Sequence, residues 1–381
     1  MTDPRRSLAS PLAALYWLLV LYASLHPFTD WSVPPLTLRE LLRLPHTYSG
    51  WLDRAINITG YLPLGFLLAT AWMRQGWRRA SACVVALAAA SLTSYAMEVT
   101  QSFLPARVPS MLDWINNSLG AAVGVALALA VDHLGVFDAL KRSRRRWLTE
   151  HSTPGLLLLL LWPVGLLFPP TVPWVEGQFL PQALEVLRSG VAGTPAQQWL
   201  PAAMLHGGWI HDIEPTSPAT VAMMSLGLLA PVAVAYCIGR TGWPRLLFLT
   251  ACLAMSVCIV TVSTALNFGP DHAAAWITAA TVPALSLAAL AGILGARRSA
   301  RGIAAAGLLG TLALTLWINT YRDSSPFYAL SLQAWEQGTF IRFFGLAQWV
   351  GWLWPYAAMV WLARRVAGRG PAQEPAPTPL P

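Results

Sequence analysis

DWINNSLGAAVGVALALAVD, residues 113–132, decides the fold. After its polar head the run carries no charge until Asp132. A helix of about 20 mostly apolar residues is long enough to cross a bilayer. Asp113, Asn117, Gly120 and Gly124 fall at i, i+4, i+7 and i+11, which is one stripe on such a helix. The lower part of the stripe, GAAVG, is a small-xxx-small surface that lets a second helix approach closely. A helix packed by those glycines aims Asp113 and Asn117 at its neighbour rather than at lipid.

Similar apolar runs recur along the chain, at 10–26, 56–73, 80–99, 153–169, 218–239, 246–266, 273–295, 302–320 and 346–363, which makes ten with 113–132. Hydrophobic residues make up 55% of the 381 and charged residues only 11%, where a soluble domain carries about 25% charge. The fold class is therefore all-α, a polytopic transmembrane helical bundle. Barrel strands are excluded by the length and continuity of the runs. Most of the 25 basic residues fall between alternate runs, at 5–6, 74–79, 141–146, 240–245, 297–301 and 364–369. The positive-inside rule then predicts both termini in the cytoplasm. The first run follows MTDPRRS and is expected to remain as a span, being long for a signal-peptide core. The net charge of +8 sits in these short connecting segments and gives no reason to expect a nucleic-acid partner.

The organisation predicted is a four-helix membrane domain over 1–135, a basic cytoplasmic linker over 136–152, a six-helix membrane domain over 153–369 and a disordered Pro-rich tail over 370–381. The linker sequence KRSRRR anchors topology and suits anionic headgroups. Two long outer loops are expected, 27–55 and 170–217, both rich in aromatic residues that favour the headgroup level. Cys83, Cys237, Cys252 and Cys258 read as small apolar residues, and no metal site is expected. HGGWIHDIE, with His206, His211, Asp212 and Glu214, reads as a solvated loop. Asp271 reads as the cap of the eighth span, and Arg322, Asp323, Glu336 and Arg342 as solvated surface. There is no P-loop, dinucleotide fingerprint, GxSxG or HExxH, so no cofactor is expected.

Polar residues gather at one predicted depth. Asp53 and Asn57 share a face at the start of the second span, and Arg54 lies beside them. Ser94, Glu98 and Gln101 share a face at the end of the third. Arg107 follows on a short loop, and Asp113 and Asn117 open the fourth span. A carboxylate inside a membrane costs about 2.5–3.5 kcal/mol on insertion scales, so Glu98 needs a partner, for which Arg107 is the nearest cation. The set Asp53, Asn57, Glu98, Gln101, Arg107, Asp113 and Asn117 is the candidate binding site, with Glu98 and Asp113 as candidate catalytic groups. Other roles fit each residue singly: Asp113 as a helix N-cap, Arg107 as an interfacial snorkeller, the asparagines as packing glue.

The pattern Asn57…Pro63-Leu64-Gly65, Glu98-x-x-Gln101, Arg107, Asp113, Asn117 and Gly120…Gly124 resembles the VanZ-like membrane family over about residues 10–132. Its namesake is associated with resistance to the glycopeptide teicoplanin. The resemblance implies a bacterial envelope context, in the cytoplasmic membrane, and marks these acidic and amide residues as signature positions. It leaves the six C-terminal spans unassigned. Three functions are open. The first is binding of an envelope ligand at the outer face, either a lipid-linked glycan precursor or an amphiphilic antibiotic, alongside membrane lipid. The second is an outer-leaflet enzyme using a carboxylate base on a lipid-linked phosphate or glycan. The third is a transporter or flippase.

Overall fold

The computed structural model describes residues 8–136 except 27, 29, 48 and 49, and then 142–143, 146–149, 152–199, 201, 211–321 and 341–368. His206, Arg322, Asp323, Glu336, the Arg342 side chain and the 370–381 tail lie outside the described residues. Among the described residues there are twelve α-helices and no strand. The chain divides into two compact units, Met1–Arg146 and Trp147–Pro381.

The first unit contains α1 (Ala9–Leu25), the short α2 (Leu38–Leu42), α3 (Trp51–Arg74), α4 (Arg79–Gln101) and α5 (Met111–His133). The four long helices form a bundle in which α3 and α5 make the closest pair. Glycine makes that closeness possible. A Cβ at Gly120 would collide with the Ile58 carbonyl, one at Gly124 with the Leu62 carbonyl, and one at Gly65 with the Ala121 carbonyl. On α4 the buried residues are Ala82, Ala86, Ala90, Ser94 and Glu98, a strict i,i+4 stripe. The register that buries three alanines therefore also buries Glu98. On α2, Thr37 and Glu40 close a capping box. The Thr37 N–H and hydroxyl on the Glu40 carboxylate hold its pKa below the usual range.

The second unit contains α6 (Thr153–Gly165), α7 (Leu180–Val191), α8 (Pro218–Ile238), α9 (Trp243–Phe268), α10 (Thr281–Gly295), α11 (Ala300–Ile318) and α12 (Ile341–Val366). α8 is the central helix, packed by α6, α9, α10 and α11. Its most apolar stretch is 78% buried, which explains an apolar sequence on every face.

A helix lies at each of the ten expected apolar runs. Six of them, α3, α4, α5, α8, α9 and α11, are long and apolar enough to cross a membrane, and α1, α6 and α10 are apolar but shorter. Three expectations fail here. Residues 171–178 are not a solvated surface loop: all eight are buried. The aromatic and proline residues read as interfacial are instead core, with Trp174 only 1% exposed, its indole N–H on the Ser256 carbonyl and its ring edge-on to Trp276. The span expected to start at 273 becomes helical only at Thr281. Before it, Trp276 is drawn into the core by a bond to Thr261, and the Thr278 N–H is held by the Thr281 hydroxyl. Asp271, in a 3-10 turn at Pro270–His272, caps nothing on α10.

Candidate functional site

The polar residues of the first unit are set by the ends of α3, α4 and α5. Glu98 is 4% exposed and accepts a 2.8 Å hydrogen bond from the Ser110 N–H. Its carboxylate thus closes the α4–α5 turn on itself. The adjacent Met111 N–H is held by the Pro45 carbonyl from the segment after α2. Arg107 and Asp113 stand within electrostatic range of Glu98.

Arg107 does not pair with Glu98 as expected. Its guanidinium donates to the Ala23 carbonyl at 3.0 Å and to the His26 carbonyl at 3.1 and 2.6 Å. These are carbonyls at the C-terminal end of α1, where the helix leaves acceptors unsatisfied and its dipole favours a cation. Gln101 reinforces the same end through the Ser24 carbonyl at 2.9 Å. Both side chains therefore tie α1 to the α4–α5 turn. Arg107→Ala should lower the stability of the full chain by about 2 kcal/mol, since hydrogen bonds to charged groups contribute more than neutral ones. A thermal melt followed by tryptophan fluorescence checks it, and Arg107→Lys should recover only part of the loss, because an ammonium lacks the planar fork.

Asp113 is not the N-cap of α5. Ser110 is, its hydroxyl accepting from the Asp113 N–H. The Asp113 side chain is thereby free to turn inward. Asn57 reaches its carboxylate and Asp53 lies within electrostatic range, yet Oδ1 is buried with no hydrogen-bond partner. One turn deeper, Asn117 donates to the Ser94 hydroxyl at 2.9 Å, while its own Oδ1 is buried and unpartnered. Asp53 is exposed and accepts from the Gly50 N–H, bracing the start of α3. Arg54 is also exposed.

Tyr61 completes the group. It is 6% exposed, and its hydroxyl is turned toward Ser24, Ser94 and Glu98 without closing a hydrogen bond. Sequence reasoning missed it, although Asp53, Asn57 and Tyr61 continue one i,i+4 stripe. Ser110 was missed too, because Asp113 is an equally good cap by residue type. A Trp114–Ser91–Ser118 network lies below, with the indole N–H on Ser91 and the two hydroxyls 2.8 Å apart.

The structure thus brings Asn57, Tyr61, Glu98, Asp113 and Asn117 into one cluster, and gives Gln101 and Arg107 to the end of α1. Residues 8–132 match the VanZ/LLP1 family model. No curated protein and no solved structure matches the chain. The first unit is thus similar to the VanZ/LLP1 family, and with its apolar helices the chain is a multi-pass membrane protein. In the second unit His211, Asp212 and Glu214 are exposed, and no group of three metal-binding side chains occurs among the described residues.

Proposed function

We propose that the VanZ-like unit, in the bacterial cytoplasmic membrane, binds an amphiphilic envelope ligand at the Tyr61–Asp113–Asn117 cluster. The ligand class is a lipid-linked glycan precursor or an amphiphilic glycopeptide such as teicoplanin. One observation carries this reading: three polar atoms in one buried cluster, Tyr61 Oη, Asp113 Oδ1 and Asn117 Oδ1, have no hydrogen-bond partner. Each such atom costs about 1–3 kcal/mol while unsatisfied. A ligand rich in hydroxyl and amide groups offsets that cost. The two Oδ1 atoms accept from it, and the phenol donates or accepts. Binding is favoured over an enzymatic role for Glu98, because that carboxylate already has a structural task in holding the α4–α5 turn.

The test is antibiotic susceptibility. Wild type and Asp113→Leu are expressed at matched membrane levels in a sensitive Gram-positive host and challenged with teicoplanin and vancomycin. Wild type should protect against teicoplanin selectively, and Asp113→Leu, which is similar in shape but has no acceptor, should lose most of that protection. Equal protection by Asp113→Leu would remove the cluster as the site. A well-expressed wild type that gives none would remove the glycopeptide as the ligand.

A further inference from the structure

The second unit holds a buried carboxylate that belongs to none of this. After α6 the chain runs through FPPTVPWVEGQF, residues 168–179, and returns into the middle of the unit. α6 has 13 residues, so it rises only about 20 Å against a hydrocarbon core of about 30 Å. The tip of the returning segment, at Trp174, sits at mid-height of α8 and α9, and 177–180 rises to the end of α11. The Trp174 carbonyl packs on Gly227, near the middle of α8, where a Cβ would collide with it, and the indole reaches Ser256 near the middle of α9. Trp174 itself has φ +67, which folds the segment into a tight turn. Irregular backbone at such a depth is tolerated only where protein satisfies its polar groups or where it lines a cavity.

Several polar groups of the segment are satisfied by protein. The Gly177 N–H is held by the Gly351 carbonyl, and the Gly177 carbonyl takes the Asn319 amide and the Tyr356 hydroxyl. Thr171 donates to Gln178, and the Gln178 amide donates to the Ile318 and Tyr321 carbonyls. Leu180 N–H is held by Asn319 Oδ1. Glu176 is different. It is 7% exposed, and its Oε1 is buried without a partner. That oxygen lies against the backbone of Gly165 on α6 and Gly351 on α12, where a Cβ at Gly165 would collide with it. Two glycines therefore make room for the carboxyl group. Beside it is a cavity of about 30 Å³ lined by Thr171, Gln178, Gln348 and Trp352 among others, enough for one water.

The groups facing Glu176 are the Gly165 backbone from α6, Gln348, Gly351 and Trp352 from α12, and Thr171 and Gln178 from its own segment. Tyr356, one turn along α12, is the nearby titratable group and is already bonded to Gly177. None of these is a cation. Oε1 is buried with no cation and no bonded donor, and that setting favours the neutral acid over the carboxylate. Ionisable groups on interrupted apolar segments are also where membrane transport sites are built.

We propose that Glu176 is the proton-binding acid of a re-entrant site in the second unit. The acid is neutral while 168–179 lies packed as observed. When the segment opens, its O–H bond breaks, the proton passes to water and the carboxylate is hydrated. Closing requires a proton to be taken up again.

A hydrophobic carbodiimide, which couples to protonated carboxyl groups in apolar surroundings, tests this on the full chain in lipid nanodiscs, with the adduct located by peptide mass spectrometry. The expected result is an adduct at Glu176 at acidic pH that is lost as the pH is raised. Glu176→Gln, shaped like the neutral acid, should fold, melt like wild type and give no adduct on that peptide. No adduct on intact wild type at any pH would overturn the proposal. So would protection by sodium or potassium at fixed pH, which would mark a metal-cation site instead. If Glu176→Gln fails to fold, the wild-type pH profile decides alone.

Discussion

Gly124→Leu should abolish recovery of folded protein, and Gly60→Ala should be tolerated. Both glycines lie in long helices of the first unit, so propensity alone would predict a gain from either replacement, up to about 1 kcal/mol for alanine. Their surroundings separate them. Nothing lies within 4 Å of a Cβ at Gly60, whereas at Gly124 the Leu62 carbonyl and the Phe66 backbone nitrogen of α3 occupy that space. Those atoms are backbone, so no rotamer change relieves the collision and the two helix axes must move apart. Overpacking usually costs about 1–3 kcal/mol where side chains can yield, and here the cost is higher. Lipid tails are as apolar as leucine side chains, so close helix contact is the main thing holding α3 to α5. Separating them also uncovers Asn117 and Asp113. Size-exclusion elution of the detergent-solubilised full chain, with its thermal melt, checks both variants. A Gly124→Leu protein that elutes and melts like wild type would show that α3 and α5 do not meet along this stripe.

The glycine contact was legible because it follows from helical periodicity, which one sequence states directly: Asp113, Asn117, Gly120 and Gly124 share a face whatever the neighbours are. The same rule found the Ser94–Glu98 face of α4. It did not reveal what each polar group bonds to. Arg107 is near Glu98 in sequence, yet it is drawn to the carbonyls of Ala23 and His26, which come from a helix 81 or more residues earlier. Nor does periodicity govern 168–179, which is neither helix nor strand. Its Trp174 looks like a headgroup-level residue because an aromatic ring in a loop suits the interface, and only its packing on Gly227 and Trp276 places it in the core. Glu176 was passed over for the same reason. A single carboxylate in a loop reads as solvated until the loop is seen to turn inward.

Asn319→Ala should lower the melting temperature of the full chain by roughly 5–10 °C, taking a loss of about 3 kcal/mol in a unit of this size. Asn319 is 5% exposed and ends α11. Its amide donates to the Gly177 carbonyl at 2.9 Å and to the Thr315 carbonyl at 2.6 Å, and its Oδ1 accepts the Leu180 N–H at 2.7 Å. One side chain thus holds both ends of the stretch 177–180 and returns it to a helix 142 residues later. Truncation leaves the Leu180 donor and much of the Gly177 acceptor unsatisfied in a place without water, and unmade buried bonds cost more than made ones contribute. Asn319→Asp should do no better. It keeps the acceptor for Leu180 but loses both donations and adds a second carboxyl group to the segment that already carries Glu176. If the re-entrant segment opens as proposed, loosening this hold should also increase carbodiimide coupling at Glu176 at acidic pH, measured on the protein that remains folded. A variant that melts early but labels like wild type would separate the stability of the segment from its opening.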